Sequence, residues 1–165
     1  MYAEFVRPLL FSLTAEDAHA LGMASLVPIE WIPGLRAAVA RSCVSTDARL
    51  GVEAMGLHFP SPIGLAGGFD KNAQVPRAIE ALGFGFAELG TVTAIAQEAN
   101  PSSNLFRLPR DRALVNRLGF PNVGAAIVAE RLFAIADSKR APRGVSIGKS
   151  RSVSLDPIEG VVRDY

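Results

Sequence analysis

Three short segments of this chain put side-chain-free backbone beside a cation or a hydroxyl: Gly67-Gly68-Phe69-Asp70-Lys71, Gly90-Thr91-Val92-Thr93 and Gly148-Lys149-Ser150. Glycines let a flat ligand approach the backbone closely and accept hydrogen bonds from its amides. Lys71 adds a point charge able to stabilise negative charge on a reduced cofactor ring or to hold a substrate carboxylate. This Gly-Gly lacks the spacing of the dinucleotide and Walker fingerprints, so a plain glycine turn followed by a solvated lysine is the competing reading. The hydroxyls of Thr91 and Thr93 can donate to a ligand heteroatom or satisfy local backbone, and on spacing alone the second use is the commoner. A fourth segment, Asn116-Arg117-Leu118-Gly119-Phe120-Pro121-Asn122, gathers amides, a guanidinium, a glycine and a ring. That chemistry suits a planar polar ligand, and its alternative is an ordinary Asn-Gly-Pro turn.

Other chemistries are poorly served. His19 falls on an expected N-terminal helix and His58 in an expected hairpin, both away from the strand ends, which reads as packing or surface. Cys43, the single cysteine, reads the same way and excludes an internal disulfide. No nucleophile, base and orienting acid can be assembled, and no metal-ligand spacing occurs. The 17 Lys+Arg against 16 Asp+Glu leave no electrostatic footprint for nucleic acid. With 165 residues and 49% hydrophobic composition, one main domain is expected. The N-terminus makes a poor signal peptide, and Pro28, Glu30 and Pro33 interrupt the longest apolar stretch, so no transmembrane helix is expected.

The elements that must position these groups fall into two stretches, residues 1–47 and 48–165. In the first, Tyr2, Phe5, Val6, Leu9 and Leu10 recur at helical spacing, with Pro8 tolerable only in a first turn or at a kink. Thr14 is expected to cap a second helix that carries Ala18, Leu21 and Leu26, and Pro33 to open a third through Leu35 and Val39. Their apolar faces need a cover, either the rest of the domain or a membrane surface. Beyond residue 48 the pattern predicts a hairpin around Met55-Gly56, a strand over 63–66, a helix over 73–82 and a strand over 86–92. A short 105–108 segment, a helix over 123–136, a strand over 144–147 and a helix opened by Asp156 as N-cap with Pro157 at its first position complete the reading. Alternating strands and helices imply an α/β fold with a parallel sheet, whose ligands sit at the carboxyl ends of the strands. Only three repeats fit, whereas a (β/α)8 barrel usually needs about 250 residues.

Taken in order, the segments 63–71, 83–93, 105–108, 116–120 and 144–149 resemble class 2 dihydroorotate dehydrogenases, the membrane-associated, quinone-reducing form. The opening Tyr2 to Leu10 with Ala18-His19 is similar to that family's N-terminal helical extension. The resemblance implies the N-terminal part of a (β/α)8 TIM barrel, preceded by a small helical segment for membrane contact and quinone access and by a β-hairpin. It implies FMN as cofactor and oxidation of dihydroorotate to orotate in pyrimidine synthesis, with a quinone as electron acceptor. By the same resemblance Gly67, Gly68, Phe69, Asp70 and Lys71 border the flavin, Thr91 contacts it, and Lys71 also meets the substrate. Asn116, Arg117, Leu118, Gly119 and Phe120 enclose orotate. Ser146 stands where the family commonly has an asparagine touching flavin, a shorter group with one hydroxyl in place of an amide.

The family's serine loop bearing the catalytic base, its later flavin-binding lysine and its phosphate-binding glycine loops have no counterpart in these residues. The expectation is therefore a truncated barrel holding one wall of the site, with no catalytic residue of its own and no activity alone. The resemblance places such a protein peripherally at the cytoplasmic face of the cell membrane. The alternative from another class is a non-catalytic half-barrel that binds a membrane or a protein partner through its N-terminal helices.

Overall fold

The computed structural model describes residues 2–136 and 141–165, without the side chains of Tyr2 and Ala3. The Tyr2 side chain expected on the first apolar face thus lies outside the described residues. A π-helical turn, Tyr2–Val6, runs into α1 (Arg7–Ser12), with Pro8 in the first turn of α1. Thr14 caps α2 (Ala15–Trp31) by accepting from the Asp17 amide at 3.0 Å. Pro28 lies inside α2 without ending it. Leu26 and Glu30 are its buried residues, while Leu21, expected on the packed face, is half exposed. Next comes α3 (Pro33–Cys43), then a 3-10 turn, Ala48–Leu50.

Strands β1 (Val52–Ala54) and β2 (Leu57–Phe59) pair antiparallel, Val52 opposite Phe59. Met55 and Gly56 both take positive φ, 54° and 73°, which matches the twist of a two-residue hairpin turn. The parallel sheet is β3 (Gly64–Leu65), β4 (Phe86–Val92) and β7 (Arg143–Ile147), in the order β3-β4-β7. Gly64 lies opposite Phe86, and Glu88 opposite Gly144. Between them run α4 (Pro76–Ala81) and α5 (Ala125–Phe133), and α6 (Ile158–Asp164) follows β7. The core lies between sheet and helices: Ala87, Leu89 and Val92 of β4 meet Val75, Ala78 and Ile79 around α4 and Val128 of α5. Burying a side chain such as Leu89 or Ile79 contributes about 2 kcal/mol.

Four expectations shift. The strand over 63–66 shrinks to two residues, and the helix over 73–82 begins only at Pro76. Proline disfavours helical geometry in its predecessor, and Val75 sits at φ −136°. The helix over 123–136 is regular over 125–133, after Gly124 at φ 89°. Pro157, not Asp156, occupies the cap position of α6, and no side chain caps it. An unforeseen strand, β6 (Ala113–Asn116), pairs antiparallel with β5 (Leu105–Leu108), placing Asn116 opposite Leu105 at a strand end rather than in a loop.

Candidate functional site at the strand ends

The carboxyl ends of β3, β4 and β7 are tied together by backbone. The Gly68 amide donates to the Gly90 carbonyl at 2.9 Å, the Gly90 amide to the Asp70 carbonyl at 3.1 Å, and the Gly148 amide to the Val92 carbonyl at 2.8 Å. Gly67, Gly68, Lys71, Thr91, Ser146 and Gly148 therefore share one end of the sheet. Gly68, at φ 94°, has open space where a side chain would stand. Gly148 is constrained the other way: a Cβ there would meet the Thr91 methyl at 2.7 Å. The Thr91 and Ser146 hydroxyls lie 3.0 Å apart, both half-buried, so the serine at this position partners the threonine directly.

Asp70 enters this arrangement through its backbone. Its carboxylate is fully buried and accepts from the amides of Asn72, Gln74 and Val75 at 3.3, 2.9 and 2.9 Å, so it serves the loop that carries Lys71 rather than a ligand. Lys71 is half-buried, and burial lowers its pKa against the opposing pull of Asp70. Among the described residues its ammonium has no hydrogen-bond acceptor. A desolvated cation beside an open glycine turn is poised for an anionic or electron-rich ligand.

His19 is not remote, as its place in the sequence suggested. Helix α2 lies across the glycine turn and sets the His19 ring edge-on to Phe69, centroids 5.2 Å apart. Burial lowers the His19 pKa, Lys71 lowers it further, and Asp70 opposes them. A second tie holds the N-terminal unit nearby: Arg107 of β5 donates to the Leu13 carbonyl at 2.8 Å and stacks on Phe11 at 4.7 Å. His58 pairs with Glu53 on the exposed hairpin at 2.5 Å, and Cys43 is exposed, both as the sequence suggested.

The 116–120 segment divides. Phe120, at φ 53° and mostly exposed, reaches the strand ends: its ring lies 3.9 Å from where a Gly148 Cβ would be. Arg117 turns the other way and donates to the Ser103 carbonyl at 3.2 Å, away from the role expected of it. Asn116 and Arg117 are exposed, Leu118 and Gly119 partly buried. Lys149 also leaves the site, donating to the Ser150 and Val153 carbonyls of its own loop at 2.8 and 2.6 Å. Thr93 is structural. It is fully buried and bonded to Asn122, whose amide nitrogen reaches both the Thr93 hydroxyl at 2.7 Å and the Phe120 carbonyl at 2.9 Å. Asn122 organises the strand end, the entry to α5 and Phe120 together, a role its place in a turn-like sequence concealed.

No three His, Cys, Asp or Glu among the described residues are grouped to hold a metal. A cavity of about 620 Å³, lined by Val27, Trp31, Arg77, Ile127 and Arg131 among others, opens where α2, α4 and α5 meet, away from the strand-end glycines.

The sequence profile described as "Dihydroorotate dehydrogenase" matches residues 49–164, which takes in the hairpin, the parallel sheet and every strand-end segment above. The chain belongs to the dihydroorotate dehydrogenase family. A relative from Natronomonas pharaonis, named dihydroorotate dehydrogenase (quinone), is 51% identical over 94% of this chain and 44% of its own length. One of the same name from Mycolicibacterium smegmatis is 46% identical over 100% of this chain and 45% of its own, so the likeness extends through α1–α3. The crystal structure of a dihydroorotate dehydrogenase from Eimeria tenella in complex with ferulenol superposes with TM-score 0.68 at 34% identity, covering 94% of this chain and 44% of that one. The mixed α/β fold is thus that of dihydroorotate dehydrogenases, and the chain spans less than half the length of these relatives.

Proposed function

We propose that this chain supplies one wall of the flavin and substrate site of a quinone-linked dihydroorotate dehydrogenase, acting in pyrimidine synthesis. In this reading its three parallel strands belong to a (β/α)8 barrel. The observation that carries it is the half-buried Lys71, without an acceptor among the described residues, set beside the open Gly68 turn and the Thr91–Ser146 hydroxyl pair. These groups fit FMN: a side-chain-free turn admits a flat ring, two hydroxyls meet its heteroatoms, and a cation answers the charge of its reduced form. When bound, FMN supplies the hydride acceptor for dihydroorotate oxidation and the route for electrons to a quinone.

The chain's own residues do the positioning. Gly67, Gly68 and the Asp70 backbone shape the approach. Lys71 holds negative charge of flavin or of a substrate carboxylate, and Phe120 covers the strand ends with an apolar ring that excludes water. The described residues bind and orient, and removal of the substrate proton falls to no side chain among them. Phe5 and Leu9, 71% and 65% exposed on a unit tied to β5, support contact with a membrane surface and access for an apolar quinone. This reading puts the protein peripherally at the cytoplasmic face of the membrane.

Fluorescence titration of the purified chain with FMN tests the proposal. The wild-type chain is expected to quench flavin emission, and Lys71→Met to weaken binding at least about tenfold. The same substitution should leave the melting temperature unchanged or higher, because it removes a cation that burial disfavours. Liposome binding with no flavin bound at saturating FMN would instead support a non-catalytic membrane-binding module.

A further inference from the structure

Two loops distant in sequence converge on the segment that carries Phe120. The Gly119 carbonyl accepts from Gln97 Nε2 at 2.8 Å and from Arg151 Nη2 at 3.0 Å. These donors are themselves joined, since the Arg151 amide donates to Gln97 Oε1 at 2.9 Å. Gln97 is in turn fixed to Asn122 by two backbone hydrogen bonds, each 3.0 Å. Beyond the pinned carbonyl stands Phe120 at φ 53°, a conformation that a bulky residue keeps only where its surroundings impose it. Holding the carbonyls of Gly119 and Phe120 from two sides sets both peptide planes, and with them the direction of the Phe120 side chain. Arg151 also lies close over Gly119: a Cβ there would come within 2.4 Å of its Nη2 and would displace the guanidinium, and Gly119 itself takes φ 78°.

We infer that Gln97 and Arg151 are positioning residues. They form a pin that fixes Phe120 over the strand ends and so sets the affinity for the planar carboxylate-bearing ligand bound beneath it. Arg151 comes from the loop after β7, the strand that carries Ser146, so the pin fastens the cover of the site to its floor. Asn100 fastens the outer end of the same segment, accepting nothing from it but donating to the Leu118 carbonyl at 2.9 Å and the Arg117 carbonyl at 2.6 Å. The pin is the part that comes from another strand and faces the site. This inference rests on the reading of residues 116–120 as part of the substrate enclosure.

The test combines hydrogen exchange with calorimetric titration of orotate into the chain in the presence of FMN, for wild type, Arg151→Ala, Gln97→Ala and Arg151→Lys. Loss of one donor is expected to speed amide exchange across 117–122 about fivefold and to weaken orotate binding by a similar factor. Peptides from β4 and α5, the melting temperature and FMN affinity should hold. Arg151→Lys should recover most of the loss, because an ammonium can still reach a single carbonyl. Unchanged exchange in both alanine variants overturns the pin. Faster exchange with wild-type orotate affinity overturns its role toward the ligand. Should the wild-type chain bind no orotate, the substrate reading fails in that control, before any variant is compared, and the exchange experiment alone decides whether the pin exists.

Discussion

The N-terminal helices and the sheet unit hold together by different means. Around β4 and α4 the buried side chains are apolar and adjoining: Val75, Ala78, Ile79, Ala87, Leu89 and Val92 form one core. Across α1–α3 only Leu26 and Glu30 are buried, while Phe5, Leu9, Trp31 and Ile32 stay more than half exposed. What locates the helices is one apolar anchor, Leu26 of α2 set into that core with Met23 and Ile29 packed against it, and a small set of directional contacts. Glu30 accepts from Arg77 Nε at 2.7 Å and from the Ala78 amide at 2.9 Å, Arg107 donates to the Leu13 carbonyl, and His19 meets Phe69 edge-on. A unit fixed by one apolar anchor and a few directional ties keeps most of its apolar surface available. A unit fixed by a continuous core supplies the rigid floor that a ligand site needs.

Substitution can separate the two. Leu89 is fully buried in the middle of β4, and Leu89→Ala is expected to cost about 3–5 kcal/mol and to unfold sheet and site together. Urea denaturation followed by circular dichroism would register it as a large fall in midpoint. Glu30→Ala should cost less, about 2–3 kcal/mol, because the Arg77 side chain it abandons is 22% exposed and can recruit water. Its signature should be local: protease cleavage within α2 and α3 appears while β4 stays protected. Glu30→Gln keeps an acceptor for the Ala78 amide and should recover part of the loss. If Glu30→Ala lowers the protection of β4 as much as Leu89→Ala does, the two regions are one cooperative unit and the helices are not held separately.

The same contrast explains what the sequence could reveal. Features set by neighbouring residues were legible: the Thr14 cap, the Met55-Gly56 turn, the Pro33 helix start, and β4 with its glycine end. So were the glycine, lysine and threonine segments at the strand ends, because a parallel sheet gathers those ends whatever the loops do. Features that depend on distant partners were not. Glu30 and Arg77 are 47 residues apart, and nothing local marks a charged residue near the end of an apolar helix as buried. Thr91 and Ser146, 55 apart, become partners only once β4 and β7 are aligned. Asp70 carries a cofactor-like motif, yet its oxygens close its own loop, a use that spacing does not distinguish from ligand binding. β6 carries no local signal, because all four of its residues are exposed and show no alternation.

His19 joins the two regions, and it gives the smallest and most specific test. Its pKa is lowered, first by burial, then by Lys71, with Asp70 opposing. The unfolded chain takes up its proton near the ordinary value of about 6.5, the folded chain only at lower pH. Between those values the unfolded state binds more protons, so the stability His19 contributes is complete above about pH 6.5 and is lost as pH falls through the folded pKa. His19→Phe keeps a ring against Phe69 and removes the titration. The urea midpoint of the wild-type chain should therefore fall between pH 7.5 and 5.5 by more than that of His19→Phe, a window above the titration of the carboxylates. Lys71→Met should shrink the difference, because one of the two causes that lower the His19 pKa is then gone. Equal pH slopes in wild type and His19→Phe would mean that α2 does not rest on the glycine turn in solution, and that the helices and the site are not coupled through this contact.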